Sequence, residues 1–180
     1  IFMFNKEELV DTLNLNFSFN EILITKKLPD KLIIKYNEKN HSMIWLEKEI
    51  YYYIDEHGYI VERIGDQMEE KNYPIVHNVS EQEIEESHVQ ANEVLLMAVL
   101  SLPDRFKAFD GMPIEYFEIK NSENTLNIKI KDGPRLFIDV TGDIEKQLNK
   151  IIKLKEGILL DDFYKKQYID VTIGDSVYYK

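Results

Sequence analysis

Four histidines, His41, His57, His77 and His88, are the side chains in this 180-residue chain best suited to proton transfer or metal binding near neutral pH. None lies three or four residues from another, the spacing that sets two imidazoles on one helix face around a metal ion. Glu81, Glu83, Glu85 and Glu86 form an acidic cluster, and Asp161, Asp162 and Asp104 are imaginable as an acid and base pair. The glutamates follow Ser80 in a capping-box pattern, however, which predicts them in the first turns of a helix, where the macrodipole favours negative charge. The aspartates are expected in solvated loops. No glycine-rich phosphate loop, nucleophile elbow or Ser/His/Asp arrangement is visible, and seven glycines leave little backbone for such loops. The chain has no cysteine, so disulfides, thiolate metal sites and a cysteine nucleophile are excluded. The expectation is a protein that is not an enzyme, with no catalytic, cofactor or metal site and no small-molecule substrate.

Composition narrows the partners. Acidic residues outnumber basic ones 33 to 22, giving a net charge of -11, whereas a nucleic-acid or anionic-membrane surface needs a local excess of Lys and Arg. The richest basic stretch, Lys146 to Lys155, is spaced like the wet face of a helix. The longest apolar run, Val94 to Leu100, is far short of the roughly 20 residues that cross a bilayer. The chain opens on Ile1-Phe2-Met3-Phe4 without an initiator methionine, which reads as a trimmed piece of a longer protein.

The elements that must position any site follow from local pattern. Asn5 with Glu8 resembles a capping box and predicts a short helix from about Lys6 to Leu13. Phe19 to Lys26 and Lys31 to Tyr36 read as a hairpin around Lys27-Leu28-Pro29-Asp30. Met43 to Leu46 pairs with Ile50 to Ile54, and Asp55-Glu56-His57-Gly58 turns into Tyr59 to Glu62. The polar stretch Gly65 to Asn72 and the Tyr73-Pro74 step suggest a module boundary near Pro74 to Val79. The longest helix is expected from Ser80, through Ile84, His88, Ala91, Leu95, Ala98, Val99 and Leu102, to Pro103. A meander follows over Ile114 to Lys120, Thr125 to Lys131 and Arg135 to Val140, with turns at Asn121-Ser122-Glu123-Asn124 and Asp132-Gly133-Pro134. Asp143 caps a helix that stops near Gly157, and two strands, Tyr168 to Ile173 and Ser176 to Lys180, end the chain. The fold class is α+β, with modules 1-74 and 75-180.

Eleven tyrosines and nine phenylalanines are the compositional excess. Tyr51, Tyr52 and Tyr53 in one strand must place rings on both faces of a sheet, as packing or as an interaction surface. The terminal Val177-Tyr178-Tyr179-Lys180 is either a frayed or internally paired tail or a sheet edge whose unpaired N–H and C=O groups take an added strand.

Three blocks carry a resemblance. Leu28-Pro29-Asp30-Lys31-Leu32-Ile33-Ile34-Lys35-Tyr36-Asn37-Glu38 is similar to the hairpin of POTRA modules, and Tyr52 to Ile60 is similar to their "I-D-x-x-G" segment. Tyr168-Ile169-Asp170-Val171-Thr172 resembles the closing strand of the bacterial cell-division family FtsQ, also called DivIB. The resemblance implies a POTRA-like module over 1-74, lacking its N-terminal part, and an FtsQ-type β domain over 75-180. It implies a single-pass inner-membrane protein with this piece outside the cytoplasm at the division septum, acting as a non-catalytic scaffold for FtsB/FtsL-like (DivIC-like) proteins. The partner-binding residues it implies are Tyr168, Ile169, Asp170, Val171, Thr172, Ile173, Val177, Tyr178 and Tyr179. Thr172 stands where the family often has a basic residue, which removes a charge contact to an acidic partner there but leaves main-chain pairing possible. The alternative is a POTRA module of an export or outer-membrane assembly system, although no further POTRA repeat or barrel pattern follows Pro74.

Overall fold

The computed structural model describes residues 5–16, 19–27, 30–38, 40–66, 73–108, 112–120 and 124–180. The expectations for Ile1 to Phe4, for the Leu28-Pro29 turn, for 67–72 and for Asn121 to Glu123 lie outside them. The chain divides into two compact units, Ile1–His41 and Ser42–Lys180.

In the first unit, helix α1 (Lys6–Asn16) starts where Asn5 Oδ1 accepts the Glu7 N–H at 3.1 Å, as the capping pattern predicts, and runs one turn beyond Leu13. Strands β1 (Phe19–Lys27) and β2 (Lys31–Glu38) form the expected antiparallel hairpin, with Ile24 opposite Ile34 and Lys27 opposite Lys31.

The second unit is one nine-stranded mixed sheet. Its strands are β3 (Met43–Glu47), β4 (Ile50–Ile54), β5 (Ile60–Gly65), β6 (Ile75–Asn78), β7 (Ile114–Ile119), β8 (Thr125–Ile130), β9 (Arg135–Asp139), β10 (Tyr168–Asp170) and β11 (Tyr178–Tyr179). They lie side by side in the order β11-β10-β9-β8-β7-β6-β3-β4-β5. The β3–β4 hairpin closes on Lys48 and Glu49, both at positive φ, the backbone that a two-residue turn needs to match strand twist. The boundary expected near Pro74 falls inside this sheet: β6 pairs parallel with β3 on one side and with β7 on the other. Local pattern hid β6, because a short parallel strand is recognised only by neighbours distant in sequence.

Across the sheet the register aligns Tyr52, Trp45, Val76, Phe117, Ile128, Leu136, Ile169 and Tyr179 in one row. Side chains alternate along a strand, so this row lies on one face. Helices α2 (Glu93–Ala108) and α3 (Ile144–Leu154) cover that face: Leu95, Leu96, Val99, Leu102 and Phe106 of the first, and Leu148, Ile151 and Leu154 of the second, share one buried cluster with it. Gln147 of α3 fixes the contact by presenting its side-chain amide to the β9 end, accepting from Asp139 N–H at 2.9 Å and donating to Asp139 O at 2.8 Å. Asp143 caps α3 through Lys146 N–H, as expected.

Two helix expectations need correction. The segment from Ser80 to Gln90 is not helical; α2 begins at Glu93, where Asn92 Oδ1 accepts the Val94 N–H at 2.9 Å, and it passes through Pro103. Residues 85–89 are recruited to the β5 side of the sheet instead: Ile60 N–H donates to Ser87 O at 2.8 Å and Val89 N–H to Gly58 O at 2.9 Å. Gly58 permits this approach, since at φ +90 a Cβ there would stand 2.8 Å from Val89 Cγ2. Pro103 interrupts one helical hydrogen bond, but Leu102 and Phe106 beside it are fully buried, and that burial outweighs the roughly 3 kcal/mol proline penalty. As expected, α3 ends close to Gly157, at Leu154, and the chain goes on through a π-helical turn (Lys155–Leu159) and a 3-10 turn (Leu160–Lys165) that buries Phe163.

Candidate partner-strand interface at the sheet edge

The side chains weighed for chemistry are dispersed. His77, in β6, stacks on Tyr116 at 4.1 Å, and burial pushes its imidazole pKa down against the opposing pull of Glu118 and Glu115. His88 Nε2 bonds His57 O at 2.9 Å, in the loop rather than on a helix stripe. Glu81, Glu83, Glu85 and Glu86 lie in that same loop, exposed, with no helix dipole to explain them. Asp162 and Asp104 are exposed and each is paired three residues on, with Lys165 at 2.8 Å and Lys107 at 3.1 Å. Among the described residues no group of three or more metal-ligating side chains converges. A groove of about 740 Å³ beside α2 is lined by Tyr73, Pro74, Pro103, Phe106, Met112 and Phe117 among others, with Lys107 and Glu115 as its charged members.

The C-terminal margin is the more organised feature. β10 is interior, pairing parallel with β9 and antiparallel with β11. Ile169 and Val171 are fully buried, and Val171 N–H is taken by Phe137 O at 3.2 Å. Tyr168 stacks on Phe137 with ring centroids 5.7 Å apart. Among the described residues β11 has one neighbour strand, β10, and its outer side faces away from the sheet. Lys180 N–H donates to Tyr168 O at 3.3 Å and Gln167 N–H to Lys180 O at 2.6 Å. Because an antiparallel ladder alternates inward and outward main-chain groups, Tyr179, the next residue, turns its N–H and C=O away from β10. Its side chain points to the helix-covered face, where Lys166 Nζ stands 5.3 Å from the ring centre.

Of the nine residues expected to bind a partner, the structure therefore places Tyr178 and Tyr179 at the free margin, 52% and 43% exposed. Tyr168, Ile169 and Asp170 stand behind them in β10. Residues 172–176 are a turn rather than strand: Ser176 N–H donates to Ile173 O at 3.0 Å, with Gly174 at φ +48. Ile173 projects from this turn, 53% exposed, and Val177 packs against the core. Asp170 and Thr172 are occupied with each other, Asp170 Oδ1 accepting the Thr172 N–H at 2.9 Å and its hydroxyl at 2.7 Å. Sequence reasoning missed Lys146 and Lys150 of α3, which hold the turn from beneath: Lys150 Nζ donates to Val171 O at 3.1 Å and to Gly174 O, and Lys146 pairs with Asp175 at 2.6 Å. That pairing draws the exposed Asp175 carboxyl below its usual pKa. Their i, i+4 spacing was visible, but it is shared by every solvated helix face.

At the opposite margin, β5 is met by the 85–89 loop described above, so the two edges differ in kind. The class is thus an α+β protein with two helices backing a wide mixed sheet that ends in a two-residue strand. No family model matches the chain. Among curated proteins it is similar to the cell division protein DivIB of Clostridium botulinum strain Hall, 28% identical over 185 residues that cover 99% of this chain and 70% of that protein. The DivIB protein of strain Loch Maree is 27% identical over the same coverage. These similarities, over nearly the whole chain, support membership of the FtsQ/DivIB family and a role in cell division.

Proposed function

We propose that this chain is a non-catalytic divisome scaffold that captures a membrane-tethered cell-division partner by adding the partner's strand to β11. The observation that carries this reading is the outward main chain of Tyr179 on a strand with a single neighbour. Main-chain hydrogen bonds supply much of the affinity in such pairing and tolerate varied side chains, which suits a margin where Thr172 offers no positive charge. The partner is an FtsB/FtsL-like (DivIC-like) protein, in keeping with the family. In this reading the chain is the extracytoplasmic part of a single-pass inner-membrane protein at the septum. Among the described residues no helix is long and apolar enough to cross a membrane. In place of the 1-74 and 75-180 modules expected from the sequence, this reading takes the unit Ile1–His41, a capped helix and a hairpin, as the POTRA-like part and the nine-stranded unit, which then includes the Tyr52 to Ile60 block, as the β domain.

Tyr179→Pro tests the reading cleanly. Proline removes the outward N–H while the bonds at Lys180 and Gln167 that tie β11 to β10 involve other residues. The soluble segment of the DivIC-like protein from the same genome, titrated by isothermal calorimetry, is expected to lose binding to this variant while the thermal midpoint stays within about 2 °C, the shift of a surface change under 0.5 kcal/mol. Undiminished binding would show that the partner docks elsewhere.

A further inference from the structure

A two-residue strand is held to its sheet by very little, and what orders β11 is the turn that delivers it. Three contacts fasten that turn. Asp170 accepts twice from Thr172; Lys146 pairs with Asp175; Lys150 Nζ reaches two carbonyls, Val171 O and Gly174 O, that bracket the start and crest of the turn. The three are unequal. The Lys146–Asp175 pair is exposed, with side chains 59% and 87% accessible, so solvent screens it to little value. Asp170 orders only the first step beyond β10. Lys150 is half-buried, and its hydrogen bonds are charge-assisted and span both limbs of the turn. It is anchored on the stiffest element nearby: its neighbours on α3, Leu148 and Ile151, are buried in the core, and Gln147 locks the helix to β9.

We infer that Lys150 is the positioning residue of the partner edge: its ammonium, acting through the Val171 and Gly174 carbonyls, holds the terminal turn so that β11 lies paired on β10 and presents Tyr179 outward. An incoming strand then meets a preordered template and loses less entropy on pairing. The inference rests on the edge reading above for its consequence, but the clamp itself is a property of the free protein. With Lys150 replaced, the exposed Gly174 carbonyl is left to solvent and the buried α3 side chains are unchanged, so the fold persists while β11 frays.

The experiment is amide hydrogen exchange by NMR on the free protein, together with calorimetric titration of the DivIC-like segment, for the parent chain, Lys150→Met, Lys150→Arg and Asp175→Asn. Methionine keeps the apolar stem and removes the donors; arginine restores them. In Lys150→Met, protection of the Lys180 and Gln167 amides is expected to fall about tenfold or more, the size of losing charged hydrogen bonds. The β7 to β9 amides keep theirs, partner affinity falls in parallel, and Lys150→Arg recovers most of both. Asp175→Asn is expected to change neither. Unchanged Lys180 and Gln167 protection in Lys150→Met overturns the clamp. Arginine failing to rescue, or β7 to β9 loosening equally, also overturns it by reducing Lys150 to a general stability residue. Loosened β11 with unchanged affinity leaves the clamp standing but overturns both its role in partner capture and the edge reading, as Tyr179→Pro would independently report.

Discussion

The Glu47 carboxylate accepts the backbone N–H of Ile84 at 3.0 Å, joining the end of β3 to a loop 37 residues further on. The same buried group accepts the Trp45 indole N–H at 3.1 Å and the Asn78 amide at 2.7 Å. Three donors from three parts of the chain thus converge on one side chain, and together they hold residues 78–84 out of the helix that their pattern favours. Asn78 extends the arrangement, its Oδ1 taking the Ser80 N–H at 3.0 Å and hydroxyl at 2.6 Å. Ser80 is thereby engaged as a turn residue, its Oγ accepting the Gln82 N–H at 3.2 Å without a helix following.

Glu47→Ala is expected to destabilise the protein by about 3 kcal/mol, because it strands a buried indole and an amide without acceptors. Urea unfolding followed by tryptophan fluorescence measures the loss, Trp45 being the sole tryptophan. Exchange at the Ile84 amide should speed up as well.

Ile169→Ala and Ile173→Ala separate the two limbs of the terminal hairpin. Ile169 is fully buried among Leu136, Val171 and the α3 side chains, so its truncation is expected to cost about 2–5 kcal/mol. Ile173 is more than half exposed, and its loss should stay within about 0.5 kcal/mol. Denaturant midpoints of the two variants give the comparison. A large effect at Ile173 would mean that it packs against something its exposure denies.

Leu160→Gly should raise stability by about 1 kcal/mol, although it deletes an apolar side chain. Leu160 sits at φ 48 and ψ -123, a conformation natural to glycine and strained for leucine, and its side chain is 61% exposed. Little burial is lost and the strain is relieved; a calorimetric melt reads the balance.

His77 makes stability depend on pH. Burial holds its folded pKa below the unfolded value near 6.5, so the unfolded state binds the proton more readily. Its contribution is complete above the unfolded pKa and is lost as pH falls through the folded one. The stability of the parent chain should therefore decline from pH 7 downward more steeply than that of His77→Gln. Parallel profiles above pH 5, where carboxylates begin to titrate, would remove the histidine from the account.

Much of the molecule was legible residue by residue. Asn5 and Asp143 start helices where their side chains reach the next turn's amides, and the β1–β2 and β3–β4 hairpins and the β7 to β9 meander follow from alternation between turn residues. These are contests settled within a few residues, so local composition suffices to decide them. The Ile169-Asp170 motif likewise pointed to the strand at the heart of the margin. The tertiary structure alone decided the rest. Whether 80–90 coils into a helix depends on Glu47 and Gly58, both distant in sequence. Whether α2 survives Pro103 depends on the sheet that buries Leu102 and Phe106. Which of the nine terminal residues face outward depends on β9 taking one side of β10 and β11 the other. A hydrogen bond or buried contact between remote residues leaves no periodicity in either segment, and the free edge is defined only by the neighbours that strands elsewhere have already taken.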